Sequence, residues 1–299
     1  MILDLPLARA VLDASTPERA RDGLIDELCA SPGTRILHVD TEGRIAVAGN
    51  ELVIRRPEAG GSGAGDSLLI FLGRPLRGSL LDGDAYLLAI GAPIDGLEYR
   101  GGREAALSLT EPERGLAVAA SAISNWHRLY PRCGQCGDET AVVHAGWVRQ
   151  CVDCGTEHYP RTDPAVIMAI HDADDRVLLA HAAHFSPKRY SLLAGYLEPG
   201  ESLESAVVRE TFEEVRLRVT RVEYTGSQAW PFPRSLMLSF DAWVEGTPEP
   251  IVDGDEITDA RFYSREELAT AIADGDLALP GEGAAARTQL EAWYGGPLP

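Results

Sequence analysis

Apolar and polar positions alternate in short runs along the first third of the chain. Residues 34–39, 44–48, 51–55, 68–72 and 86–91 read as strands separated by turn residues. From 111 to 127 the pattern changes to an Ala-rich stretch with helical spacing. Further on, the continuous apolar run 165–171 predicts a buried strand, with 176–181 as its partner across an Asp-rich turn. Residues 190–194 are extended, 219–228 and 235–244 are further strands, and 265–274 is a helix. Between them Gly195, Pro199 and Gly200 suit a loop, and Ser202 suits a helix N-cap. After that cap Val208, Thr211, Phe212 and Val215 recur at helical spacing and predict the inward face. Strands and helices mixed in this way suit an α/β sandwich around a mixed sheet.

The polar side of that helix carries the first chemistry. Glu210, Glu213 and Glu214 stand at i, i+3 and i+4, which predicts that all three leave the face opposite the apolar one. Like charges at this spacing repel, and Glu198 and Glu201 lie just upstream. On composition alone an acidic run is a solvated helix face. A cluster this dense also suits hard divalent cations, which take oxygen ligands and bridge carboxylates to phosphates.

The chain has 299 residues, 45% of them hydrophobic and 24% charged, enough for two domains with ample core. Its net charge of −19 argues against a generic nucleic-acid surface. The opening residues lack a basic region and a sustained apolar run, so no signal peptide is expected, and no stretch approaches a membrane span. Between Arg56 and Asp66 a glycine-rich run lacks the Gly-Lys-Ser/Thr of a phosphate loop and reads as a mobile surface connection.

Four of the five cysteines form two CxxC pairs, Cys133/Cys136 and Cys151/Cys154, fourteen residues apart. This spacing is similar to that of a zinc ribbon, whose four thiolates close a tetrahedral structural site. It is read as zinc over a redox pair or disulfides, in a reducing cytoplasm. His127, His144 and His158 flank it and read as surface or packed residues, not a fifth ligand. Cys29 reads as a buried small hydrophobe.

Ser227–Met237 joins two predicted strands. In it Trp230 and Phe232, stiffened by Pro231 and Pro233, form a flat apolar wall suited to an aromatic base, with Gln228, Arg234 and Ser235 as hydrogen-bonding groups. Taken alone, such a loop is more often a rigid packing element than a ligand site.

The acidic segment is similar to the Nudix box: Gly195, five residues, Glu201, seven residues, then Arg209-Glu210-x-x-Glu213-Glu214. Arg216 replaces the box's glycine, where a left-handed cap would suit the helix end, and Thr211 replaces an aliphatic residue. The box, the upstream ribbon and the array Ser227-Gln-Ala-Trp-Pro-Phe-Pro-Arg-Ser235 together resemble the bacterial NADH pyrophosphatases, also known as NAD-capped RNA hydrolases. Ala229 stands where that family has a further proline.

The resemblance implies a Nudix α/β/α sandwich with a mixed sheet at 161–299, a zinc ribbon at 126–160 and an N-terminal α+β domain at 1–125. It implies metal-dependent hydrolysis of the NAD(H) diphosphate to nicotinamide mononucleotide and AMP, removal of NAD caps from RNA, magnesium or manganese as catalytic metal, and a homodimer. By the same resemblance Glu210, Glu214, Glu256 and the Ala194 carbonyl are metal ligands. Glu213 supports the cluster or acts as base, beside Glu201 and Arg209 of the box. Gln228 to Ser235, including Ala229, hold the nucleotide, Tyr159 and Ala286 line its pocket, and Arg103 contacts phosphate or substrate. An acidic contact the family often has before the third cysteine falls on Gly146 and is missing. Two other functions fit parts of the pattern. One is a Nudix enzyme for ADP-ribose or a nucleoside triphosphate; the other is a zinc-ribbon regulator without catalysis, with Arg216 and Gly146 as its marks.

Overall fold

The computed structural model describes residues 2–57 and 66–299, so most of the glycine-rich run lies outside the described residues. The chain divides into two compact units. One contains residues up to Ala8, Asp163–Ala229 and Ser235–Pro299; the other contains Arg9–Thr162 and Trp230–Arg234.

The first unit is built on a mixed sheet whose order is Val219–Trp230, Ser235–Val244, Asp163–His171, Val177–Ala182, Ile257–Tyr263. Asp163–His171 runs parallel to Ser235–Val244 and antiparallel to both Val177–Ala182 and the short strand Leu193–Tyr196. Its apolar run is continuous because both faces are covered. On one face Val166, Met168 and Ile170 pack with Phe240 and with Ala206, Val207 and Val215 of the helix Leu203–Val215. On the other, Ile167 and Ala169 pack with Leu268 of the helix Arg265–Ala273 and Leu290 and Trp293 of the helix Ala285–Tyr294. Each such aliphatic side chain contributes about 1.5–3 kcal/mol by leaving water. The result is an α/β/α sandwich.

The inward face of Leu203–Val215 differs from the one expected. Val208 and Phe212 are 41% and 38% exposed, whereas Val207, Thr211, Glu214 and Val215 are buried. Thr211 is tolerated there because its hydroxyl donates to the Val207 carbonyl at 2.7 Å. Phe212 instead lies beneath two cations, with the guanidinium carbons of Arg216 and Arg218 at 5.5 and 5.3 Å from its ring centroid. Glu214 therefore points inward with the apolar stripe and does not share the outer face with Glu213.

In the second unit, Thr34–Asp40 pairs parallel with Ala85–Gly91, which pairs antiparallel with Leu68–Pro75. Leu24 and Leu28 of the helix Leu24–Ala30 cover Ile36, Phe71 and Leu87. The expected strand 51–55 is split into Glu51–Leu52 and Ile54–Arg55, which pair with different neighbours. The expected helix 111–127 runs from Glu113 to Leu129 and is preceded by a second helix, Gly102–Ser108. Cys29 is half-buried at the edge of this core. Among the described residues no helix is long and apolar enough to cross a membrane.

Candidate active site

The acidic helix starts where Ser202 accepts a hydrogen bond from the Ser205 amide at 3.2 Å, the capping interaction its sequence predicts. It stops at Arg216, which adopts the left-handed conformation (φ 58°) and donates its amide to the Phe212 carbonyl. A non-glycine residue in that conformation costs about 1 kcal/mol.

Between these ends a single guanidinium organises three carboxylates. Arg209 donates through Nε and Nη2 to both oxygens of Glu201, each at 2.8 Å. Its Nη1 reaches Glu210 at 2.8 Å and Glu213 at 3.0 Å, and Nη2 also donates to the Tyr196 carbonyl at 3.0 Å. The bidentate fork fixes Glu201 in the plane of the guanidinium and holds its carboxyl below the usual carboxylate range. Glu210 is shifted the other way, upward, because burial outweighs Arg209.

Glu214 has no such cation. It is 4% exposed, and its Oε2 has no partner among the described residues. Burial, then the charges of Glu210, Glu256, Asp253 and Glu213, push its carboxyl up to about 8. Asp253 donates its amide to the Glu214 carbonyl at 3.0 Å, which ties the loop carrying Glu256 to the end of the helix. Glu256 is itself exposed and close enough to raise both Glu210 and Glu214. Gly195 faces Glu210 so closely that a Cβ there would lie 2.0–2.5 Å from the carboxyl atoms. Ala194, just before it, is exposed on the strand Leu193–Tyr196. A buried carboxylate left unpaired among like charges, beside backbone with no side chain in the way, is a donor set that fits a hard divalent cation.

The segment assigned to the nucleotide belongs partly to each unit. In the first, Gln228 is 1% exposed and its amide is fully engaged: Oε1 accepts from the Leu7 amide at 3.2 Å and Nε2 donates to the Gly283 carbonyl at 2.9 Å. Those bonds occupy it structurally, in place of the free donor expected. Ser235 is buried with its Oγ 3.1 Å from the Tyr196 hydroxyl, Ala229 is half-buried, and Ala286 is packed into the core around Leu290.

In the second unit the Trp230 and Phe232 rings meet edge to face at 5.3 Å. The Arg103 guanidinium carbon lies 5.1 Å from the Trp230 ring centroid, so the structure brings Arg103 to this wall. Arg234 lies 5.9 Å from the Tyr130 ring centroid. The Pro231 and Pro233 carbonyls both accept from Asn125 Nδ2, at 2.8 and 3.2 Å. Asn125 was not singled out in the sequence because its partners are 106 and 108 residues away. Tyr159 is 62% exposed and donates to Glu157.

The ribbon closes as its spacing predicts. The four cysteine sulfurs lie within 4.8 Å of one another, with separations of 3.3 Å (Cys136–Cys151), 3.5 Å (Cys136–Cys154) and 3.7 Å (Cys133–Cys154). A tetrahedron of Zn–S bonds about 2.3 Å long has edges of about 3.8 Å, so the set fits zinc. His158 Nε2 is 3.2 Å from the Cys133 sulfur. His127 is packed away from it: Nε2 contacts the Gly146 carbonyl at 2.8 Å and Nδ1 faces Arg149 Nη1 at 3.0 Å. Gly146 has φ +98°, and a Cβ there would come within 2.6 Å of Ile70. The position is closed to a side chain as Ile70 now stands.

Sheet, box helix and carboxylate set define a Nudix hydrolase, and a NUDIX domain model matches residues 161–280. A model of the NADH pyrophosphatase zinc ribbon domain matches residues 128–159. The chain is 34% identical over 94% of its length to the NAD-capped RNA hydrolase NudC of Mycobacterium tuberculosis, covering 92% of that protein. It is also 42% identical, over 59% of its length, to Nudix hydrolase 19 of Arabidopsis thaliana, of which it covers 42%. The chain belongs to the NADH pyrophosphatase family of zinc-ribbon Nudix hydrolases.

Proposed function

We propose that this chain hydrolyses the diphosphate of NAD(H) to nicotinamide mononucleotide and AMP, and removes NAD caps from RNA 5′ ends. The observation that carries the reading is Glu214, buried without a partner among Glu210, Glu213 and Glu256. It stands in a chain whose full-length relative is named an NAD-capped RNA hydrolase. Glu210, Glu214, Glu256 and the Ala194 carbonyl would hold magnesium or manganese. Bound there, the cation supplies charge neutralisation for the diphosphate and lowers the pKa of a water.

The chain's own residues do the rest. Arg209 fixes Glu201, Glu210 and Glu213 in place before substrate arrives. Glu213, 57% exposed on its side chain, supports the cluster or accepts the proton of the attacking water. The phosphoanhydride P–O bond breaks, one phosphate takes the water oxygen, and the other leaves as a phosphate monoester. Trp230 and Phe232 stack against the nucleotide's aromatic part, with Arg103 and Arg234 near the phosphates. Tyr159, Ala229 and Ser235 complete the contacts, while Gln228, Ala286, Pro231 and Pro233 shape them. The reading includes a three-part division at 1–125, 126–160 and 161–299, a homodimer, and a reducing cytoplasm, which the five free cysteines suit.

The test is incubation of the pure protein with NADH and manganese or magnesium, with products separated chromatographically. AMP and reduced nicotinamide mononucleotide from the wild type, lost in Glu214→Gln, are expected. Equal turnover by Glu214→Gln, or products other than these two, would overturn the assignment.

A further inference from the structure

The wall of Trp230 and Phe232 is built from a segment with few hydrogen-bond donors of its own. Pro231 and Pro233 have no amide N–H, and the Phe232 amide is engaged with the Trp230 carbonyl at 2.7 Å. The carbonyls of Pro231 and Pro233 therefore depend on donors from elsewhere, and both take the same one. Asn125, half-buried on the helix Glu113–Leu129, donates from Nδ2 to the Pro231 carbonyl at 2.8 Å and to the Pro233 carbonyl at 3.2 Å. A primary amide has two hydrogens on one nitrogen, one for each carbonyl. Its other end is held as well. Asn125 Oδ1 accepts from Arg128 Nη2 at 3.3 Å, one turn along the helix, so the NH2 side faces the loop. One side-chain nitrogen thus ties together the two carbonyls that flank Phe232.

We propose that Asn125 is a positioning residue for nucleotide binding: by tying these carbonyls it fixes the edge-to-face arrangement of Trp230 and Phe232 before substrate arrives. This rests on the reading that the wall takes the nucleotide's aromatic part. Phe232 also packs against Gly102, where a Cβ would come within 3.3 Å of the ring, and Arg103 stacks on Trp230. Packing and cation–ring attraction tolerate a change of angle, whereas hydrogen bonds weaken steeply as they bend. The angle is therefore set by Asn125. A ring pair already in place needs no further ordering when a base stacks on it. The gain is equal in the ground state and the transition state, so it belongs to KM and not to kcat. Asn125 has both amide hydrogens engaged and acts through the loop, not on the substrate.

The test compares Asn125→Asp and Asn125→Ala with the wild type. Aspartate keeps the size of asparagine but loses the donor, so a role in packing alone would survive it. Two readouts are taken on the full chain. One is steady-state NADH hydrolysis with manganese. The other is the fluorine spectrum of protein carrying fluorotryptophan at its five tryptophans, each resonance assigned by a Trp→Phe variant. In both variants KM should rise about tenfold, with kcat within about twofold of the wild type. Without substrate the Trp230 resonance should shift and broaden. The Trp243 and Trp293 resonances should stay in place, which also reports that the fold survives. A Trp230 resonance that does not move in either variant would overturn the proposal, and so would an unchanged KM beside wild-type turnover. A fall in kcat at constant KM would overturn the positioning role. If the wild type leaves NADH intact, the hydrolysis reading fails on its own, and the substrate-free spectra still decide whether Asn125 sets the ring pair.

Discussion

In the ribbon, four sulfurs meet on a small three-stranded sheet of ten residues, Thr140–Val143, Val148–Cys151 and Glu157–His158. In the sandwich, the carboxylates ride on a helix whose Ala206, Val207 and Val215 are fully buried in a large core. The ribbon has almost no apolar core of its own, so ligand and fold are one problem there. The acidic helix is held by packing and by Arg209 whether or not a cation is present. The number of donors follows the same division. Four thiolates complete a tetrahedron and leave no position for a reactant, whereas a cation held as proposed by the carboxylates around Glu214 would leave room for phosphate oxygens. A closed site holds structure and an open one does chemistry.

Four measurements would break or sharpen that contrast. The largest effect is expected from a strong zinc chelator, or from Cys133→Ser. A structural zinc contributes on the order of 10 kcal/mol, so limited proteolysis should cut within 128–159 while the sandwich stays intact. Loss of both together would erase the distinction. Next, Glu214→Gln should lower NADH turnover more than about 100-fold, beyond the range usual for residues that only support a ligand. The same change should raise the metal-free melting temperature by several degrees, since it removes a buried carboxylate without a partner. A lower melting temperature would mean that Glu214 is paired after all.

The third concerns pH. Burial, and then the charge of Arg149, hold His127 well below its ordinary value, at about 4. Because the folded value lies below the unfolded one, the unfolded chain binds the proton first. The contribution is complete above about 6.5 and is lost as pH falls toward 4, amounting to about 3 kcal/mol. Denaturant melts of the second unit should show this slope, and His127→Gln should flatten it. The smallest effect is Arg216→Gly, which relieves the left-handed conformation and should stabilise the sandwich by about 1 kcal/mol. Activity should be unchanged; restored activity from an inactive wild type would instead mark Arg216 as the lesion.

What could be read from the sequence follows from the range of the interactions. The box spacing, the cysteine knuckles and the Ser202 cap are local, and the structure places them as written. The strand Ser235–Val244 has its predicted bounds because Leu236–Leu238, Phe240 and Ala242–Val244 make a nearly continuous apolar run. The facing of Glu214 was missed because Val208 and Phe212 completed an equally regular apolar stripe, and the choice between stripes is made by the sheet beneath. The helix Ala285–Tyr294 was not singled out although Ala285, Ala286, Gln289, Leu290 and Trp293 recur at helical spacing, because no polar capping residue marks its start. The strand Ile257–Tyr263 was not singled out, since Thr258, Asp259 and Arg261 face solvent and leave few apolar positions to mark it. The partners of Gln228 and Asn125 could not be read. Their roles depend on carbonyls and amides 55 to 221 residues away.

The central strand Asp163–His171 is flanked by strands on both edges and covered on both faces. Val166 on it pairs with Gly195, the residue beneath the Glu210 carboxyl. The backbone at Gly195 is therefore anchored to the most enclosed strand of the sandwich, whose amides should exchange with solvent most slowly. Glu210, which faces Gly195, is on the packed helix Leu203–Val215, so loosening of surface loops should disturb that pair least.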